Sequence, residues 1–346
     1  MRVGLIARAD NRGLGQQTWS FYRNMHPAKT MVVNCPSEQP LQNHFDRFPD
    51  ATIINGYPSG QDVRDFLDGL DAVYTAETSY NQDLWHEARN MGVRTLLHAN
   101  FEFLDRTDSP TVWAAPSPWR LDEWPTGTVH LPVPIETDRF PDTAKPPVAR
   151  NFLHVIGRPT FDRSRDLNRN GTLQLLQALR YIEADITVTI RCQQPGYVGA
   201  LINDHSIHTP NNITLVIEPG DHPNYWDAYT NQHAAILPRR FGGLCLPAQE
   251  AIGAGIPVIM PNIDPNNTWL PHEWLTQAQR DGEFVAKQHI TCHSTDPAAL
   301  AQKITQLAND TSFYSRAAAQ ARNIRNQMSW ETLKPMYEKV LTGCLP

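Results

Sequence analysis

The chain has few cysteines, and they form no pattern. Cys35, Cys192, Cys245, Cys292 and Cys344 are scattered, odd in number and include no C-x-x-C pair. That excludes a zinc ribbon and a disulfide-framed secreted fold, and a reducing cytoplasm is the expected compartment. No apolar run approaches the roughly 20 residues needed to cross a bilayer. The opening stretch Met1–Arg8 is too short and too soon interrupted for a signal peptide. An excess of positive charge is also missing: 30 Lys and Arg stand against 36 Asp and Glu, a net charge of −6. This excludes a strongly basic nucleic-acid-binding surface, while a local basic cleft stays open. Internal repeats and low-complexity segments are absent, which excludes a solenoid. What remains is a chain of 346 residues, 40% hydrophobic and 19% charged. It is able to bury real cores and long enough for about two domains.

Short apolar runs alternate with helical segments. Val3–Ala7 reads as a strand, followed by a turn at Asp10–Gly15 and a helix from about Gln16 to Met25. Met31–Val33, Thr52–Ile54, Ala72–Thr75 and Thr95–Leu97 are further strands, with a helix at Gln82–Met91 that Gly92 stops. Prolines then crowd together at Pro132, Pro134, Pro141, Pro146 and Pro147, and residues 141–150 read as a linker. Beyond it Phe152–Ile156, Ile186–Ile190, Ile213–Ile217, Ala234–Leu237 and Pro257–Met260 are strands. Leu173, Leu176, Leu179 and Ile182 form the apolar stripe of a helix. Asp296-Pro297 is an N-cap followed by proline in the first turn, and Leu300, Ile304 and Leu307 give that helix its buried face. A last helix starts near Ser329, with Pro335 expected to kink or restart it. Strands separated by helices predict βαβ units and parallel sheets. The expected fold is therefore α/β, with two Rossmann-like domains facing across a cleft: residues 1–140, then after the linker 151–328, with 329–346 returning to the first.

The stretch richest in chemistry runs from Pro238 to Ile259 as strand, glycine turn, helix, glycine stop and strand. Gly242 and Gly243 let the backbone approach a ligand. Free amides at the start of the helix that follows suit an anion, and Glu250 within the helix can accept hydrogen bonds from sugar hydroxyls. The same spacing also fits an ordinary strand–turn–helix with a solvated Glu. In the first half, Asp10-Asn11-Arg12-Gly13-Leu14-Gly15 lies where the first strand meets the first helix, and either a plain turn or a phosphate-facing loop fits it.

This stretch resembles the C-terminal signature of GT-B glycosyltransferases, especially the retaining family 4. Leu246-Pro247, Glu250-Ala251, Gly255 and Pro257-Val258-Ile259 match in register. Leu131–Phe140, Phe152–Arg158, Asn170-Gly171, Asp296-Pro297 with Leu300, and Ser329-Trp330-Glu331 resemble further family segments in the expected order. In the first half the likeness rests mainly on Gly13-Leu14-Gly15. The resemblance implies that Glu250 holds the ribose of a nucleotide sugar. The amides of Gly243, Leu244, Cys245 and Leu246 would face its sugar and phosphates, and Arg158 would stabilise the leaving diphosphate. His98 resembles a histidine lying near the transferred sugar, and Glu77, at the end of another strand, is a further cleft candidate. Two departures stand out. The family has another Glu, contacting the donor sugar, where this chain has Gly242. Its phosphate-binding Lys is Asn170 here, and Arg163, Arg165 or Arg169 could supply the missing cation. Trp113, Trp119 and Trp124 cluster ahead of the linker, as core or as a stacking platform for an acceptor.

The implied activity is transfer of a sugar from a nucleotide-diphosphate sugar to an acceptor, with retention of configuration. The acceptor is a glycan, a protein, a small molecule or, as in some phage enzymes of this fold, a modified DNA base. A nucleotide-sugar epimerase and a non-catalytic nucleotide-sugar binder are the alternatives on the same fold. No D-x-D pair stands in a suitable place, so neither an essential metal nor a prosthetic group is expected. The sequence leaves the oligomeric state open.

Overall fold

The computed structural model describes residues 1–35, 42–140, 145–157, 159, 169–220 and 224–344. The chain divides into two compact units. One comprises Met1–Pro134, Ala286–Gln288 and the chain from Trp330 on; the other comprises Ile135–Val285 and His289–Ser329.

The first unit is built on a seven-stranded parallel sheet. Its elements are β1 (Val3–Ala7), α1 (Gly13–Met25), β2 (Lys29–Asn34), β3 (Thr52–Asn55), α2 (Gly60–Leu67), β4 (Ala72–Ala76), α3 (Asp83–Asn90), β5 (Arg94–His98), β6 (Val112–Ala115) and β7 (Val129–His130). The strand order is β3-β2-β1-β4-β5-β6-β7, and each neighbouring pair is parallel. β1 and β4 are buried along their whole length, which fits continuous apolar runs covered on both faces. The helix after β1 starts earlier than the sequence suggests. Gly13-Leu14-Gly15 is its first turn rather than a loop, because Gly15 has no side chain to meet the Asp10 carbonyl; a Cβ there would lie 1.9 Å from that oxygen. Helix α2 went unread in the sequence, although Ser59 and Asp62 form a reciprocal capping box at its start.

The second unit holds a six-stranded parallel sheet and a hairpin. Its elements are β8 (Asn151–Ile156), α4 (Thr172–Ala178), β9 (Ile186–Cys192), α5 (Tyr197–Asp204), β10 (Ile213–Pro219), β11 (Ala234–Ile236), α6 (Leu246–Gly253), β12 (Val258–Pro261), β13 (Leu275–Thr276), the antiparallel pair β14 (Ala278–Val285) and β15 (His289–Thr295), α7 (Pro297–Asn309) and α8 (Thr311–Gln327). The sheet order is β10-β9-β8-β11-β12-β13. As in the first unit, the first strand of the sheet is central and the order reverses beside it. Asp296 caps α7 by accepting from the amides of Ala298 and Ala299, and Leu300, Ile304 and Leu307 are buried, as their spacing predicts. On α4 the buried leucines are Leu175 and Leu176, with Leu179 buried in the short 3-10 turn that follows, whereas Leu173 is only half-buried. The hairpin and α8 escaped the sequence reading. β14 is exposed along most of its length, so it carries no apolar period.

The expected boundary after residue 140 differs from the observed division after Pro134. Ile135 and Phe140 belong to the core of the second unit, where both press on Gly253 of α6. A Cβ at Gly253 would sit 2.8 Å from Phe140 and 2.9 Å from Ile135. Of the expected linker, residues 141–144 lie outside the described residues. The last helix, α9 (Trp330–Thr342), is counted with the first unit and runs on through Pro335 without restarting. Trp330 Nε1 donates to Ser20 Oγ at 2.7 Å, and the Tyr337 hydroxyl donates to the Pro132 carbonyl at 3.1 Å. Burying aromatics of this size is worth several kcal/mol each, about 3–5 kcal/mol by truncation, enough to hold a helix with a proline in its second turn.

Candidate functional site

The carboxyl ends of open parallel sheets are where such folds bind ligands, and in the second unit that edge carries the Pro238–Glu250 segment. After β11 the chain turns through Gly242 and Gly243, the latter at φ +76°, and enters α6 with Cys245 as N-cap and Pro247 in the first turn. Cys245 offers no side-chain cap. The amides of Gly243, Cys245 and Leu246 donate to no acceptor among the described residues.

Glu250 stands one turn further into α6. The Tyr229 hydroxyl donates to its Oε2 at 2.5 Å. Burial pushes the carboxyl up to about 7, against the lowering pull of that hydrogen bond and of Arg139. Arg139 is itself tied to Glu136 by an ion pair at 2.8 Å and lies over the Trp226 ring at 4.8 Å. Glu250 thus sits in a network with the Tyr229 hydroxyl, Arg139 and a second acid, Glu136.

Three arginines surround the glycine turn. Arg169 donates from Nη2 to the Gly242 carbonyl at 3.0 Å and lies over Phe241 at 5.0 Å. Its own carbonyl accepts from the Arg240 amide at 2.9 Å. Arg240 is paired through Nη2 with Asp281 of β14 at 2.5 Å and donates Nε to the His293 carbonyl of β15, so the hairpin neutralises it. Arg239 is as buried as Arg240, each 9% exposed. Its Nη1 donates to the Leu244 carbonyl at 3.3 Å, its Nε has no partner, and no carboxylate among the described residues pairs with it. Asn170 stands in the turn before α4. Gly171 at φ +65° comes so close to Pro238 that a Cβ would lie 1.9 Å from its carbonyl oxygen. His154, fully buried, braces the same corner: Nδ1 is 2.7 Å from the Ile236 carbonyl and Nε2 is 3.0 Å from the Thr172 hydroxyl. Burial lowers its pKa to about 4. Arg158, Arg163 and Arg165 lie outside the described residues.

In the first unit the expected residues sit differently. His98 is 1% exposed, with Nδ1 3.1 Å from the Tyr74 hydroxyl and 3.3 Å from Gln17 Nε2. The Tyr74 and Tyr337 rings stand edge-on to it. Burial lowers its pKa to about 3. It is a buried, neutral imidazole whose Nε2 has no hydrogen-bond partner among the described residues. Asp10 is buried, paired with Arg8 at 2.7 Å, and accepts from the Arg12 amide at 2.9 Å. Glu77 adopts the left-handed φ of +60°; its amide donates to the His98 carbonyl and its Oε1 accepts from Asn100. Trp113, Trp119 and Trp124 are all buried, Trp119 edge-on to Phe101 and Trp113 edge-on to Trp124. They serve the core and present no stacking platform.

No protein-family model matches the sequence, and no curated protein sequence does. Solved structures do match. Sucrose-phosphate synthase from Thermosynechococcus elongatus is similar at TM-score 0.65 and 15% identity, over 99% of this chain and 100% of that one. A glycosyltransferase from Rickettsia africae gives 0.67 at 13%, over 99% and 98%. Anabaena HepE, solved with UDP and glucose, gives 0.65 at 13%, over 99% and 100%. The fold is GT-B. Identities this low establish the GT-B architecture and nothing finer.

Within this GT-B chain, sequence reasoning overlooked Tyr229, Arg139, Glu136 and Arg239. The first three come from segments distant in sequence from Glu250 and had no local signal. Arg239 had one: it stands beside Arg240 in the signature stretch. Two adjacent arginines look alike on paper, and only the hairpin's Asp281 distinguishes them. Among the described residues no group of three or more His, Cys, Asp or Glu could hold a metal ion, and no helix is long and apolar enough to cross a membrane.

Proposed function

We propose that the protein is a glycosyltransferase that moves a sugar from a nucleotide-diphosphate sugar to an acceptor. The observation that carries this reading is Glu250. It is a carboxyl on the helix behind a glycine turn, at the carboxyl end of a parallel sheet, in a GT-B fold whose neighbours include an enzyme solved with UDP and glucose. In this reading Glu250 accepts hydrogen bonds from the ribose hydroxyls, displacing the Tyr229 hydroxyl. The amides of Gly243, Leu244, Cys245 and Leu246 face the phosphates, where the start of a helix favours negative charge. Arg158, by resemblance, grips the leaving diphosphate as the glycosidic bond breaks. Cations and amides aimed at the developing charge stabilise the transition state more than the bound substrate. Retention of configuration, action without a metal and a cytoplasmic setting belong to the same reading. No enzyme base attacks the sugar in it, and His98, by resemblance, lies near the transferred sugar.

Gly242 favours a second reading, a non-catalytic nucleotide-sugar binder, since the family's sugar-contacting carboxylate is missing there. Thermal-shift screening of nucleotide sugars followed by an assay of sugar release separates the two. A donor at about a hundred times its Kd stabilises by about 2.7 kcal/mol. Glu250→Gln should weaken donor binding by about 1.5–3 kcal/mol, and Arg158→Ala should slow transfer about 10²-fold. Binding without transfer or hydrolysis selects the binder. If no nucleotide sugar binds, both readings fall.

A further inference from the structure

Arg239 and Arg240 are neighbours in sequence and equally buried, yet the structure treats their charges differently. Arg240 has Asp281. Among the described residues Arg239 has a single neutral acceptor, the Leu244 carbonyl, and an Nε with none. Burying a guanidinium without a counter-charge is costly, and interiors normally pair or exclude such a group. Its location gives the cost a purpose. Nη1 reaches the turn that opens α6, where the amides of Gly243, Cys245 and Leu246 also lack acceptors among the described residues. The Arg169 guanidinium reaches the same turn at the Gly242 carbonyl. Gly242 adds no side chain and therefore no negative charge beside them.

We propose that Arg239 is a further anion-binding residue beside the amides at the start of α6, and that it binds a charged oxygen group of the donor: its diphosphate or, in an acidic sugar, its carboxylate. The guanidinium fork presents several donors in one plane, which suits either group. The ligand supplies the counter-charge that the protein withholds, so the cost of burying Arg239 is recovered only when the site is filled. This inference rests on the donor reading above for the identity of the ligand, and on Arg239 itself for the site.

The test is calorimetric titration of the whole protein with inorganic pyrophosphate, with UDP, ADP and GDP, and with UDP-glucose and UDP-glucuronate. Wild type is compared with Arg239→Met, Arg239→Lys and Arg240→Met. Arg239→Met should weaken binding about tenfold to a hundredfold, as expected for losing a charge-assisted hydrogen bond, while the ligand-free melting temperature stays level or rises. Arg240→Met, which strands Asp281, should lower the melting temperature and change anion affinity far less. Loss shared by pyrophosphate and the nucleotides identifies the diphosphate as the bound group. Loss confined to UDP-glucuronate identifies the sugar carboxylate. Arg239→Lys should recover only part of the affinity, and it carries the test should Arg239→Met fail to fold. Wild-type affinities for every probe in the folded variants, or a wild type that binds none of them, overturn the proposal. Pyrophosphate bound through Arg239 with no nucleotide sugar bound keeps the anion site and removes the donor reading. Nucleotide sugars bound equally well without Arg239 do the reverse.

Discussion

The two units open their first helices in the same way and finish differently. In each, a glycine at the entry to the helix that follows the first strand, within the first turn of α1 and at the N-cap of α4, is pressed against a carbonyl, and a Cβ would stand 1.9 Å from that oxygen. In the first unit Gly15 meets Asp10 of its own loop. In the second Gly171 meets Pro238, which follows a different strand, β11. The first junction is closed locally, with Asp10 paired to Arg8 and His98 Nδ1 close to Tyr74 and Gln17, although Gln16 Oε1 and His98 Nε2 have no hydrogen-bond partner among the described residues. The second ties two strand ends together and leaves a carboxyl that burial pushes up to about 7 and a buried cation that no carboxylate among the described residues pairs. One topology therefore yields a junction whose buried acid is paired on one side and, on the other, a buried cation that no carboxylate among the described residues pairs, and such a cation is what an anionic ligand can reward.

The comparison is tested most severely by adding one methyl group to each junction. Gly171→Ala brings overpacking, about 1–3 kcal/mol, together with a left-handed backbone that costs roughly 1–2 kcal/mol for a residue with a Cβ. Gly15→Ala brings the overpacking alone. Urea unfolding should show a loss of roughly 2–5 kcal/mol for the former and roughly 1–3 kcal/mol for the latter. Equal losses would mean that the two junctions are not built differently.

Next in size is the proton on Glu250. Its carboxyl titrates near 7 in the folded protein, above its ordinary 4.5. The folded state therefore holds an extra proton between those values, and stability falls as pH rises through that window. Glu250→Gln removes the penalty and should stabilise the protein at pH 8 by roughly 1–3 kcal/mol, an effect that vanishes below pH 4.5. His98 and His154 act with the opposite sign. Both are held neutral, at about 3 and about 4 against an ordinary 6.5. The unfolded chain then binds more protons, and the stability they contribute is lost as pH falls below 6.5. Between pH 4.5 and 6.5 the Glu250→Gln variant should lose stability on acidification more steeply than wild type, by about 1.4 kcal/mol per pH unit. Denaturant midpoints across that range measure it. Parallel curves would show that Glu250 is an ordinary surface acid.

The smallest effects are expected at the helix caps, where the units should not differ. Ser59→Ala in the first and Asp296→Ala in the second each remove a side-chain acceptor from a helix start and should cost about 1 kcal/mol. A much larger loss at either would show that its cap also carries tertiary load.

The sequence by itself determined the parallel α/β layering, because apolar strands and capped helices are local patterns. Val3–Ala7 and the Asp296-Pro297 helix start were legible for that reason. It also singled out Glu250 and the glycine turn, whose residue types and spacing lie within one strand–turn–helix. It left the hairpin, α8 and the end of the first unit unread, since an exposed polar strand has no period and Ile135 and Phe140 gain their meaning only against Gly253. Tertiary structure alone decided that His98 is buried and held neutral, that Tyr229 and Arg139 surround Glu250, and that of two adjacent arginines only Arg240 meets an acid among the described residues. Burial and charge pairing depend on what distant segments bring to a point, and no local pattern encodes that.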